Sequence, residues 1–125
     1  MLKRPTIRLL SEYLADTKAL RIAEEQLAVY QTNHARSLTV KKQTYLSLID
    51  GQKQTISNLQ LIVKRDEHRL SRIVQSEGEQ YRVFFLHYVK KKSLKKTAHM
   101  TSYTKDGVVS ILRRIKQKCT QEKGR

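Results

Sequence analysis

Twelve lysines and arginines lie between positions 90 and 125, against two acids, Asp106 and Glu122. Side chains of this kind bind phosphate oxygens and the acceptor edges of bases. Lys105, Asp106, Val109, Ser110 and Arg113 fall at the start and on the outer face of a helix that the spacing predicts. Recognition helices present their N-terminal residues to base edges in the major groove, so these five are the expected base contacts. Lys91, Lys92, Lys95, Lys96, Arg114 and Lys116 flank them and would sit over phosphates, fixing register without reading sequence. Catalytic chemistry finds no footing. His34, His68, His87 and His99 are far apart, with neither metal-binding nor metalloprotease spacing, and there is no glycine-rich phosphate loop and no serine or cysteine in an elbow context. No enzyme activity, metal, cofactor or small-molecule substrate is expected.

The elements that must position the basic residues are read from Ser93 to Ile115. Ser93 is a plausible N-cap, and Leu94, Thr97 and Ala98 follow on one face, which predicts a first helix of about two turns. Thr101, Ser102 and Tyr103 break the period. Thr104 is placed to cap a second helix whose buried side is Val108, Ile111, Leu112 and Ile115. Helix, tight turn and helix in this order read as a helix-turn-helix, with small Ala98 at the crossing. Thr97 and Thr101 stand where aliphatic residues would pack better, and Gly107 costs the second helix up to about 1 kcal/mol relative to alanine.

Further back, Leu9, Tyr13, Leu20, Ala23, Leu27 and Tyr30 recur at four- and three-residue steps once Asp16 is admitted, predicting a long amphipathic helix over roughly 7–33 with a seam as narrow as that of a coiled coil. The pattern weakens from Asn33, and residues 34–51 read as loop and turn. From Gln52 it returns, with Ile56, Leu59, Val63, Leu70 and Ile73 forming a second narrow stripe to about Gln75. The charged run from Lys64 to Arg69 is expected to be a solvated face laced with local ion pairs. Ser76, Glu77 and Gly78 interrupt. Glu79 to Val89, the most aromatic stretch of the chain, then reads as the central helix of a small three-helix core, its aromatics serving as core rather than as a stacking platform for bases.

The expected fold is all-α. Residues 1–76 form a long helical hairpin or coiled coil for oligomerisation or partner binding, 77–118 a DNA-binding helix-turn-helix domain, and 119–125 a basic tail. Two seams this narrow leave much of each helix uncovered, so the front half is expected to pair with a partner helix or to form a homodimer. A net charge of +15 makes polyanions the expected partners, nucleic acid first among them. The lone cysteine, Cys119, rules out an internal disulfide and fits a reducing compartment. No apolar run approaches the roughly 20 residues that span a bilayer, and the N-terminus lacks the apolar core of a secretory signal, so a cytoplasmic, nucleoid-associated protein without membrane contact is expected.

The segment YRVFFLHYVKKKSLKKTAHMTSYTKDGVVSILRRI resembles region 4 of bacterial sigma factors and the related domain of phage late-gene transcription regulators of the ArpU and RinA type. The likeness rests on an aromatic-containing helix end at Leu86, His87 and Tyr88, a short charged turn, and Ala98, Tyr103, Thr104 and Val108 in the motif that follows. Thr97, Thr101 and Ser102 stand where isoleucine, leucine and glycine are commoner. The front half is similar in pattern to small phage regulators. The resemblance implies a sigma-like three-helix unit that binds double-stranded DNA at a phage or mobile-element promoter, in contact with host RNA polymerase in a bacterial cytoplasm. A reading from another class is a protein-binding adaptor for polymerase or a repressor, whose basic tail only tethers it to nucleic acid. A sequence-independent RNA binder is a third. Binding without preference among DNA sequences would favour either over a regulator.

Overall fold

Along the second long helix and the turn that ends it, Tyr45, Ile49, Gln52, Ile56, Leu59, Val63, Asp66, Leu70 and Ile73 recur at alternating four- and three-residue steps, and each is buried or half-buried. Tyr13, Asp16, Leu20, Ala23, Leu27, Tyr30 and His34 do the same along the first. Two seams of this period close on each other as a pair of helices. In the computed structural model, which describes residues 2–37, 39–74 and 77–123, they are α1 (Arg4–Arg36) and α2 (Thr39–Arg72), joined as a hairpin. Pro5 falls in the first turn of α1, where a missing N–H removes no helical hydrogen bond.

The expected loop over 34–51 is not observed: the helix resumes at Thr39 and Gly51 lies inside α2. Tyr45 and Ile49 hold the seam through this stretch, and Gly51 sits on the exposed side with nothing near the place of a Cβ, so its cost is confined to propensity. Gln75 and Ser76, at the expected end of the second helix, lie outside the described residues.

Two compact units divide the chain, one of residues 14–65 and one of residues 1–13 together with 66–125. The units thus part within the two long helices. The first is the hairpin itself, where the Gln52 side chain donates to the Ala23 carbonyl at 2.9 Å between the helices.

In the second unit the ends of α1 and α2 are built in with α3 (Glu79–Phe84), a π-helical turn (Phe85–Val89), α4 (Leu94–His99) and α5 (Lys105–Lys123). Leu10, Leu70, Tyr81, Val83, Phe84, Thr97 and Val108 are all fully buried there, with Ile115 nearly so. Burying an aliphatic or aromatic side chain of this size contributes about 1.5–3 kcal/mol. The aromatics of α3 are therefore core: Tyr13 meets Phe84 edge-on at 6.3 Å, and Phe84 lies 4.7 Å from the half-exposed Tyr88. Leu10, not Leu9, is the first buried apolar residue of α1.

Side-chain bonds fix the ends of the unit. Tyr81 donates to the Leu70 carbonyl and Thr6 to the Glu77 carboxylate. Tyr13 shares its hydroxyl proton between Glu67 at 3.1 Å and the Tyr88 carbonyl at 3.3 Å. The 64–69 run is consequently not all solvated face. Asp66 is fully buried and Glu67 half-buried, because the four-and-three period carries Asp66 onto the seam. Lys64, Arg65, His68 and Arg69 remain outside, with Arg69 paired to Glu12 across the helices at 3.4 Å.

A candidate nucleic-acid interface on α4 and α5

Both caps expected from the sequence are formed. The Ser93 hydroxyl accepts from the Lys96 N–H at 3.1 Å, and the Thr104 hydroxyl accepts from the Gly107 N–H at 3.1 Å. Each satisfies one of the four N–H groups that a helix start leaves without an intrahelical partner. Gly107 has a second use: a Cβ there would lie 3.3 Å from the Thr104 hydroxyl oxygen and 3.5 Å from the Tyr103 Cβ, so glycine lets the turn close onto α5.

The turn over 100–104 is also held from the α4 side, where Thr101 donates to the Thr97 carbonyl at 2.9 Å. Along α5, Val108, Ile111, Leu112, Ile115 and Cys119 form the buried stripe and set the opposite side free. The stripe runs one position beyond the expected boundary at 118, since Cys119 is buried and its backbone carbonyl accepts from Ser11 at 3.5 Å. Of the basic tail placed at 119–125, residues through Lys123 belong to α5, and Gly124 and Arg125 lie outside the described residues.

Of the expected base-contacting residues, Lys105, Asp106, Ser110 and Arg113 are exposed on α5 and Val109 is half-buried. Val109 and Arg113 line an open cleft beside α5 together with Tyr88, Leu94 and Lys116. Lys116, expected over phosphate, extends across the Tyr88 ring with its Nζ 5.4 Å from the ring centre. That contact restrains a flexible side chain by a cation–π attraction of about 0.5–1 kcal/mol. Lys95 and Lys96 are exposed on α4 and line a separate hollow with His99 and Met100. Arg114 is exposed on α5.

The lysine corner between the π-turn and α4 is rigidly built. Lys91 has a left-handed backbone, φ 56°, which costs a residue with a Cβ about 1 kcal/mol. On either side of it the Lys90 N–H donates to the Phe85 carbonyl and the Lys92 N–H to the Leu86 carbonyl, both at 3.0 Å. The His87 Nδ1 lies 2.9 Å from the Lys92 carbonyl; a carbonyl can only accept, so this nitrogen carries the proton. Sequence reasoning expected Lys91 and Lys92 to face phosphate, but neither the π-turn nor the strained corner has a compositional signature. Positive φ at lysine cannot be read from residue type.

The arrangement offers cations on three adjacent pieces of one unit: the 90–92 corner, the outer side of α4 and the free side of α5. Among the described residues no group of three or more His, Cys, Asp or Glu is placed to hold a metal ion, and no helix is long and apolar enough to cross a membrane. No known family model matches the chain, and no curated protein or solved structure matches it.

Proposed function

We propose that the protein is a sequence-specific DNA-binding transcriptional regulator of a phage or mobile element, with α4 and α5 as a sigma-like helix-turn-helix. The observation that carries this reading is the doubly capped corner: Ser93 and Thr104 fix both helix starts, and a buried stripe on α5 leaves Lys105, Asp106, Ser110 and Arg113 exposed. A helix held in this way can enter a major groove and present side chains to base edges. The Lys91, Lys92, Lys95 and Lys96 cluster and Arg114 supply the phosphate contacts that set register. Ten of the fifteen net positive charges come from residues 90–125, which concentrates counterion release on the part of the chain that holds the corner. Action in contact with RNA polymerase follows from the resemblance to sigma region 4.

The test is selection of bound duplexes from a random pool, followed by mapping of the protected bases. Enrichment of a defined sequence supports the reading. Salt-sensitive binding with no sequence enriched would refute it and leave the adaptor reading, in which the basic end is a tether, and the sequence-independent RNA binder.

A further inference from the structure

The hairpin unit has a second seam. Leu20, Ala23, Leu27 and Tyr30 of α1 face α2, yet Ala15, Ala19, Ile22, Gln26 and Val29 repeat the same four-and-three spacing on another side of the helix. Ile22 is 51% exposed and Val29 49%, although both are large apolar side chains. A shallow hollow beside Val29, lined by Ala28, Thr32 and Asn33, continues this surface.

We infer that this face of α1 binds the same face of a second copy of the chain, antiparallel, about a two-fold axis at Ile22. Size and charge both choose this occupant. With the axis at Ile22, the two Ile22 side chains meet at the centre, and Val29 of each copy lies over Ala15 of the other, large against small. On the edge of the seam, Lys18 of each copy comes beside Glu25 of the other, which makes two reciprocal ion pairs. A parallel pair would instead put this edge of the two copies on opposite flanks of the seam, where Lys18 of one copy cannot reach Glu25 of the other. Residues 14–35 carry Lys18 and Arg21 against Asp16, Glu24 and Glu25, so this face lacks the positive charge that would drive two copies of a +15 chain apart. An isologous contact of this kind closes on itself and yields a dimer. It does not depend on the DNA-binding reading, because it lies in the hairpin unit and is tested without DNA.

Sedimentation equilibrium of the full chain at tens of micromolar should show a dimer. Lys18→Glu replaces two attractions with two repulsions and should weaken the dimer about tenfold, and adding Glu25→Lys should restore it. Ile22→Cys, at the axis, should form a disulfide-linked dimer under mild oxidation, whereas Leu61→Cys, at another exposed apolar position of the same unit, should not. All these positions are exposed, and circular dichroism confirms that the variants remain folded. A monomer throughout the concentration range, a charge swap that restores nothing, or equal cross-linking at positions 22 and 61 would overturn the inference.

Discussion

Thr97 is fully buried beneath the α4–α5 corner, and among the described residues its hydroxyl has no hydrogen-bond partner. Burying a hydroxyl without a partner costs about 1–3 kcal/mol, and valine places a methyl group in nearly the same shape. Threonine and valine have similar helix propensities, so the substitution leaves the helix term almost unchanged. A methyl group is slightly larger than a hydroxyl in a close-packed interior, which returns part of the gain. Thr97→Val should therefore stabilise the protein by about 1 kcal/mol, raising Tm by roughly 3–5 °C for a chain of this size. Thr101→Val is the control. Its hydroxyl donates to the Thr97 carbonyl at 2.9 Å from a half-buried position, so its loss should cost about 0.5–1 kcal/mol. Urea denaturation followed by circular dichroism measures both, with an unchanged m-value showing that the denatured state is the same. A Thr97→Val protein less stable than the parent, or two variants shifted in the same direction, would refute the reasoning about the buried hydroxyl.

Lys91→Gly should raise stability by about 1 kcal/mol, because glycine adopts the left-handed backbone without strain, while weakening DNA binding through loss of a cation; thermal melts and DNA titrations separate the two effects. Alkaline pH should unfold the protein in a tyrosine-dependent way. Burial first, and then the neighbouring charge of Glu67 for Tyr13 and Glu77 for Tyr81, push both phenols well above the usual value of 10.0. The unfolded chain releases these protons first, so the stability present below pH 10 is lost as pH rises beyond it, by up to about 1.4 kcal/mol per pH unit for each tyrosine. Denaturation midpoints of Tyr13→Phe and Tyr81→Phe should fall less steeply above that pH than those of the parent, and equal slopes would count against this assignment.

Much of the corner was legible because its signals are local. Ser93 and Thr104 cap the helices they precede, and Val108, Ile111, Leu112 and Ile115 bury the expected side of α5. The two long helices were legible from their seams. The stretch from Thr39 to Gly51 was not, because Lys41, Lys42, Gln43 and Thr44 are exposed and dilute the period that Tyr45 and Ile49 sustain. Asp66 is hidden for the opposite reason: a charged residue suggests solvent, yet its position in the four-and-three repeat carries it inside. The π-turn and the left-handed Lys91 have no mark in the residue types themselves. At the site, charge could be anticipated residue by residue, but the half-burial of Val109 and Lys92 could not, nor could the cleft that gathers Val109, Arg113 and Lys116 beside Tyr88.

The central claim, that α5 reads bases while α4 holds the backbone, is tested most directly by comparing Arg113→Ala with Lys96→Ala. Each is titrated against the selected duplex and a random one at several salt concentrations. Loss of Arg113, exposed on α5, should cost about 1–3 kcal/mol on the selected sequence and much less on the random one. Loss of Lys96, exposed on α4, should weaken both duplexes alike and flatten the salt slope by roughly one unit. Two variants that lower selected and random binding equally would contradict the account and reduce the corner to an electrostatic tether.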